Sequence, residues 1–473
     1  MMKLFLLLFA GLMVVAGSQA QSVPQKLAAA VAAFEADSQM RHAILGFCVV
    51  DGKTGKPVYE YNAQIGLAPA STQKLFTSAA ALEILGQKFQ YTTQLIFIKP
   101  SKRDSVMQGQ LEIAGSGDPT FGSWRYKGTS DTAILRKWVN GIKAMGIKQV
   151  KGMIDVFDFH FREEVGIPEG YIWQDMGNYY GAGTSLLNWH ENQYDVYFSS
   201  GATGTPAVIE KIIPAQKQVA FENTVTAGKP GSGDNAYIYS APFSTKAYIA
   251  GTIPPAQKFF SISGSMPDAA YTFATALRDE LLKNNVKIDS TVLTARNHVE
   301  SVGEIPLFEE VPGSRHLSPT LDSIVYWFLK RSINLYGEAL VKTIGKEATY
   351  HYTLDSGLVR IKDFWAKNGI EKSAVHMVDG SGLSPQNRVT TNAMVKVLQY
   401  AKTRPWYSAF YYALPEYNGM KMKSGSIGGA RAFGGYHTAK DGNEYIYSII
   451  VNNYDGSSGD AVKKLYKVLD VLK

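Results

Sequence analysis

The chain has 473 residues, 45% of them hydrophobic and 19% charged, a balance that excludes a disordered chain and predicts two or three domains rather than one core. Its net charge of +7 and pI near 9.0 arise from Lys and Arg scattered among Asp and Glu, with no run of like charge. No nucleic-acid partner is expected, whereas the positive excess permits peripheral association with an anionic membrane or cell envelope.

In chain order, residues 1–20 carry Lys3, an apolar stretch from Leu4 to Ala16, and small residues in Ser18-Gln19-Ala20. This pattern predicts a cleavable signal peptide, a mature chain beginning near Gln21, and a periplasmic place of work. The apolar run is too short to span a bilayer comfortably. Pro24 to Asp37 is Ala-rich with helical spacing, and strands are expected at Ile44–Val50 and Val58–Tyr61 around a Gly- and Pro-containing turn. Cys48, the sole cysteine, sits in the first of these strands and is read as buried packing.

A buried, Ala-rich helix is predicted from Leu75 to Gly86, and directly before it stands Ser71-Thr72-Gln73-Lys74. A helical turn holds positions i and i+3 on one face, which aims the Lys74 amine at the Ser71 hydroxyl. A serine becomes nucleophilic when a neighbouring base takes its proton, and a buried lysine of lowered pKa can be that base. The pair therefore points to acyl-enzyme chemistry.

From about residue 90 to 295 the texture turns to short strand-like runs rich in Gly, Pro and Thr, with one clear helix at Ala269–Asn284. Val196 to Met266 has little helical character and reads as a β-rich module nested in a larger insertion. Helices dominate after about residue 318: Leu321–Lys330, Tyr336–Ile344, Gly357–Asn368 and Thr391–Lys402. Two strands, Arg431–His437 and Glu444–Asn452, and a helix Gly459–Leu472 close the chain. Pairing of these last strands with those before Ser71 gives an α+β fold, an antiparallel sheet flanked by helices. The expected division is 21–92 with 296–473 for the catalytic part, 93–192 with 267–295 for the inserted domain, and 193–266 for the nested β-rich domain.

Two further short patterns suit a serine nucleophile, which needs a proton shuttle and an oxyanion site. Ser332-Ile333-Asn334 is the only Ser-x-Asn, and its plain alternative is a helix cap. Lys423-Ser424-Gly425, followed by Ser426, leads into a strand, where a cation and a hydroxyl could meet a carboxylate and the glycine would let a substrate backbone approach. Lys53-Thr54-Gly55 matches the same pattern but falls in a hairpin turn and is read as one. No metal or cofactor is expected. His190-Glu191 lacks a second histidine at helical spacing, Asp155, Asp158 and His160 lie in a strand-like run, and Gly115-Ser116-Gly117-Asp118 lacks the residues of a nucleotide loop.

Taken in order, Ser-x-x-Lys, Ser-x-Asn and Lys-[Ser/Thr]-Gly form the signature of the penicillin-binding protein and serine β-lactamase superfamily. Longer matches at Leu67–Leu75, Gly115–Thr120, Tyr180-Gly181-Ala182 with Ser185 and Asn188, and Asp379–Ser384 narrow it. The chain resembles the low-molecular-mass class C penicillin-binding proteins, the D-alanyl-D-alanine carboxypeptidase/endopeptidase family, over nearly its whole mature length. The long gap between the first two motifs has no room in a class A β-lactamase. The resemblance implies a penicillin-binding/β-lactamase-like transpeptidase domain and a serine peptidase that acts on peptidoglycan stem peptides and is inhibited by β-lactams. It implies Ser71 as the acylated residue, Lys74 as its base, Ser332 as proton relay and Asn334 as holder of the substrate amide. It further implies Lys423 and Ser424 at the terminal carboxylate, with backbone N–H groups of Ser71 and Ser426 as oxyanion hole. Asp175, in Trp173-Gln174-Asp175-Met176, matches an acidic residue that reaches the free amine of the stem-peptide diamino acid. The arginine that the family places after Asp-Gly-Ser-Gly-Leu-Ser is replaced here by Pro385, with Arg388 three residues on. Alternative readings are an esterase or β-lactamase on the same scaffold, and a non-catalytic peptidoglycan-binding protein.

Overall fold

The computed structural model describes residues 21–157, 166–289, 291–294, 310–349 and 352–473; the expected signal peptide, Asp158 and His160 lie outside them. Helix α1 (Val23–Glu35) starts at Ser22, whose capping box with Gln25 and the proline in the first turn supply a ready-made N-terminus. Strands β1 (Ile44–Asp51) and β2 (Pro57–Tyr61) form an antiparallel hairpin. Lys53-Thr54-Gly55 is its turn: Asp51 Oδ1 accepts from the Lys53 N–H, the Thr54 N–H and the Thr54 hydroxyl, and Gly55 takes φ +72°. A 3-10 turn, Ala70–Gln73, then runs into α2 (Lys74–Ile84). Every residue from Lys74 to Leu82 is buried, which explains the alanines: a helix enclosed on all sides leaves little room around its axis.

The insertion follows. Strands β3 (Thr92–Arg103) and β4 (Val106–Ala114), helix α3 (Asp131–Ala144), β5 (Gln149–Lys151) and β6 (Ile154–Phe157) begin it, and a single turn, α4 (Trp173–Met176), leads out of it. Next come β7 (Gln193–Ser199), β8 (Val208–Ile213), β9 (Ala220–Asn223), β10 (Thr226–Ala227), β11 (Asn235–Tyr239), β12 (Lys246–Ile253) and β13 (Phe260–Ser265). These seven form a three-stranded sheet, β13-β7-β8, and a four-stranded sheet in which β12 pairs with β9, β10 and β11. Helix α5 (Ala269–Lys283), β14 (Lys287–Ile288), β15 (Val292–Leu293) and β16 (Glu310–Leu317) return to the first layer, a seven-stranded mixed sheet. The sequence expectation closes the insertion at residue 295, but β16 pairs antiparallel with β3 from Glu310↔Ile98 to Leu317↔Thr92. Backbone pairing therefore carries this sheet on to Leu317.

The rest of the chain contains α6 (Leu321–Lys330), α7 (Asn334–Thr349), α8 (Leu354–Lys367), the small ladder β17 (Val375–His376) with β18 (Arg388–Val389), α9 (Thr391–Lys402) and α10 (Tyr407–Ala413). Strands β19 (Glu416–Tyr417), β20 (Met420–Ile427), β21 (Ala430–Thr438) and β22 (Glu444–Asn452) and helix α11 (Ser458–Leu469) complete it. The six-stranded antiparallel sheet has the order β19-β20-β21-β22-β1-β2. Thus β22 lies against β1, from Ile44↔Asn452 to Asp51↔Tyr445. Alternate residues of β1 face opposite layers. Phe47 and Val49 meet α1 and α11 through Leu27, Phe34, Leu465 and Leu469, while Cys48 and Val50 meet the helical side with α2, α7 and α9. Burial pushes the Cys48 thiol up to about 12, so it stays protonated and inert. The architecture is α+β: two distant stretches of chain build a helix-flanked antiparallel sheet, interrupted by an insertion with further β-rich layers.

Candidate active site

Ser71 and Lys74 sit at the junction of the 3-10 turn and α2. Lys74 Nζ lies 2.9 Å from Ser71 Oγ, 2.7 Å from Asn334 Oδ1 and 2.7 Å from the Ser381 carbonyl oxygen. Ser71 is half-buried, whereas Lys74 is wholly enclosed and has the Phe328 ring of α6 at 5.7 Å. Desolvation penalises the ammonium and brings its pKa down to about 7, against the opposing pull of Asp379 and Glu338. Asn334, the first residue of α7, is held at both ends, since its Nδ2 donates to the Tyr180 carbonyl at 2.8 Å. Ser332 stands two residues earlier, half-buried at φ +58°, without a hydrogen bond to Ser71 or Lys74. Ala70, directly before Ser71, is also left-handed at φ +47°. Two non-glycine residues in this costly region flank the same cleft.

Strand β20 forms the opposite wall. Lys423 is buried, donates to the Ser424 carbonyl at 2.8 Å, and has its pKa held well below the usual lysine value by burial and then by repulsion from Lys74. Ser424 is half-buried and Ser426 exposed. Along the outer edge of β20, β19 pairs only with Met420 and Lys421. The stretch 423–427 therefore keeps a free strand edge beside the turn that carries Ser71. At Gly425 a close approach is already made by the protein's own backbone. A Cβ there would stand 2.4 Å from the Pro69 carbonyl oxygen and 3.0 Å from the Thr72 nitrogen. Gly425 brings the third motif against the first.

The loop Asp379–Ser384 forms the floor. Asp379 accepts from Gln73 Nε2 (2.8 Å), the Gly382 N–H (2.6 Å) and the Ser384 N–H (2.7 Å). Glu338, one helical turn after Asn334 on α7, accepts the Gly380 N–H at 2.8 Å and the Tyr171 hydroxyl at 3.2 Å. Burial and the neighbouring Asp379 raise Glu338 to about 8. Burial raises Asp379 as well, but its three N–H donors favour the ionised form there, so the proton of the pair resides on Glu338. Glu338 and Tyr171 escaped the sequence reading. The available signal for Glu338 was an acid at i+4 from Asn334 on an apolar helix; nothing local marked Tyr171.

Asp175 lies half-buried in α4, its carboxyl raised by desolvation and partly offset by a hydrogen bond with the Tyr180 side chain. Through Tyr180 the inserted segment reaches Asn334. Arg388 donates to the carbonyls of Pro385 and Asn387 and is exposed. Other matched segments are structural. Asp118 Oδ1 accepts from the Thr120 N–H and hydroxyl, and Asn188 Nδ2 donates to the Gly117 and Asp118 carbonyls.

The family model described as D-Ala-D-Ala carboxypeptidase 3 (S13) matches residues 27–472. A D-alanyl-D-alanine carboxypeptidase of Actinomadura sp. is 28% identical over 463 residues, covering 90% of this chain and 81% of its own. The carboxypeptidase DacB of Haemophilus influenzae is 23% identical, covering 89% and 87%. Among solved structures, penicillin-binding protein 4 from H. influenzae superposes with a TM-score of 0.78 at 20% identity, covering 93% of this chain and 98% of that one. The fold is thus that of the penicillin-binding/β-lactamase-like proteins with additional β-rich domains.

Proposed function

The chain belongs to the D-Ala-D-Ala carboxypeptidase 3 (S13) family of serine-type carboxypeptidases, and from that premise we propose that Ser71 forms an acyl-enzyme with peptidoglycan stem peptides. The observation that carries the reading is the enclosed Lys74 amine. As a neutral group it has two N–H bonds, which the Asn334 and Ser381 oxygens accept. Its lone pair is left for the Ser71 hydroxyl proton.

A stem peptide ending in D-Ala-D-Ala lies along the free edge of β20 as an added strand. Its terminal carboxylate meets Lys423 and the Ser424 hydroxyl, giving the buried amine the counter-charge it lacks and restoring its proton. Ser71 Oγ attacks the carbonyl of the penultimate D-Ala as Lys74 takes the proton. The N–H groups of Ser71 and Ser426 receive the oxyanion. Ser332 passes the proton to the departing nitrogen and the C–N bond breaks, which frees D-Ala and leaves an ester. Water, deprotonated by Lys74, then cleaves the ester and restores Ser71. Asn334 fixes Lys74 and holds the substrate amide with its remaining N–H.

The same steps cut a D-Ala–diamino-acid cross-link when the leaving nitrogen belongs to a neighbouring stem, which is endopeptidase action. Asp175 faces the free amine of the diamino acid. β-Lactams acylate Ser71 as imitators of acyl-D-Ala-D-Ala; the H. influenzae relative has been solved with a β-lactam bound. The setting is the periplasm, reached by a signal peptide within residues 1–20. The test is labelling with fluorescent penicillin and release of D-Ala from a diacylated tripeptide. Both are expected of the wild type and lost in Ser71→Ala. Equal labelling of the two proteins would refute the acyl-enzyme, and rapid turnover of the adduct would move the assignment to a β-lactamase.

A further inference from the structure

The nested sheet of β9 to β12 turns one face to its core, through Ala236, Ile238, Ala247 and Ile249, and the other outward. The outward face is aromatic and polar. Tyr237 and Tyr239 of β11 project from it, and Tyr248 of β12 lies directly opposite Tyr239. Tyr237 is 43% exposed and Tyr248 46%. Trp173 of α4, 47% exposed, extends the row: its ring stacks with Tyr239 at 6.0 Å and an interplanar angle of 30°, and Tyr237 follows at 6.4 Å. The rim carries a Lys246–Glu222 ion pair.

This face is fastened to the catalytic cleft. The Ile238 N–H donates to Asn178 Oδ1 at 3.2 Å, and a Cβ on Gly177 would stand 2.1 Å from the Ile238 carbonyl oxygen. The turn that ends α4 is therefore locked to β11, and two residues later the Tyr180 carbonyl receives Asn334 Nδ2. Trp173 on the platform and Asp175 beside the cleft share one helical turn.

We propose that Trp173, Tyr237, Tyr239 and Tyr248 form a carbohydrate-binding platform that takes the glycan strand of the polymer whose stem peptide enters the Ser71 cleft. The inference rests on the proposed peptidoglycan substrate. Pyranose rings present an apolar C–H face rimmed by hydroxyls, and Tyr and Trp match that with a broad apolar face and a polar tip. An exposed aromatic patch of this kind on a folded protein marks an interaction site. Continuity with the cleft selects the occupant, because a stem peptide is covalently hung from a glycan strand and arrives with it.

The test uses the mature protein and peptidoglycan stripped of its stem peptides, followed by calorimetry. Wild type is expected to bind the stripped glycan, and Tyr237→Ala/Tyr239→Ala/Tyr248→Ala to bind at least tenfold more weakly. The variant should hydrolyse the diacylated tripeptide at the wild-type rate, which also certifies its fold, while losing at least tenfold on intact sacculi. Tyr237→Ser/Tyr248→Ser, confined to the more exposed rings, is the second variant and should weaken glycan binding in the same direction. Absence of wild-type binding, equal binding by the variants, or a change in oligomeric state without a change in glycan binding would overturn the platform. Failure of the acyl-enzyme reading has a separate signature, which is no D-Ala released from the tripeptide by wild type.

Discussion

Lys74 is where burial becomes chemistry. Because its pKa is down at about 7, the free amine prevails above that pH and the ammonium below it. A base must be unprotonated to act, so acylation by a β-lactam should rise as pH climbs through about 7 and level off beyond it. Stopped-flow acylation rates across pH 5 to 9 check this; a profile flat through neutrality would remove Lys74 as the base. Lys74→Arg keeps a cation but no usable lone pair. It should lose about 10²–10⁴-fold in acylation rate while remaining folded by circular dichroism. At this scale the sequence was informative about chemistry and silent about support. Ser71, Lys74 and Asn334 carry short patterns, whereas Glu338 and Tyr171 matter because folding sets them beneath Lys74, a relation no local spacing encodes.

Among the elements, close backbone approach fixes the cleft. Gly382 has φ +82°, and a Cβ on it would stand 2.0 Å from the Ala70 carbonyl oxygen. Gly382→Ala must therefore push the floor loop away from the turn that carries Ser71. We expect a loss of about 1–3 kcal/mol of stability and a proportionally larger drop in acylation rate, read by urea denaturation and penicillin labelling. Unchanged labelling would show that the loop does not set the nucleophile. Helices were legible where an amphipathic stripe and clear ends coincide: Leu321–Lys330 and Thr391–Lys402 have the bounds that the pattern predicts. Helix α3 was missed, although Ile134, Trp138, Val139 and Ile142 form its buried stripe and Ser130 caps it. Gly141 within it weakens the helical signal, and its reason is tertiary, since a Cβ there would meet Ser314 Oγ of β16 at 2.4 Å. The strand β16 was hidden for a similar reason, its partner lying more than two hundred residues away in β3.

For the whole molecule, a buried polar knot ties the insertion to the helical side. Glu191 accepts from the Ser123 hydroxyl (2.7 Å), Arg125 Nε (2.9 Å) and the Tyr336 hydroxyl of α7 (2.7 Å). Glu191→Ala would strand all three donors, at a cost of about 3 kcal/mol. Differential scanning calorimetry should show a lowered transition, with the insertion and the helix-flanked sheet beginning to separate into two. An unaltered melting curve would mean that the layers are coupled elsewhere. The knot belongs to tertiary structure alone, and composition or periodicity offers no hint of it.

The pairing of β1 with β22 also sets a timetable. As the polypeptide emerges, the proposed nucleophile is made early, and the insertion can gather its own layers while the final strands are still missing. Lys423 and the edge of β20 arrive more than three hundred residues after Ser71, and β21 and β22 must then lock them beside β1. Through synthesis the hydrolase is accordingly disarmed by its own unfinished state, and it becomes able to cut only once its last strands have closed the sheet.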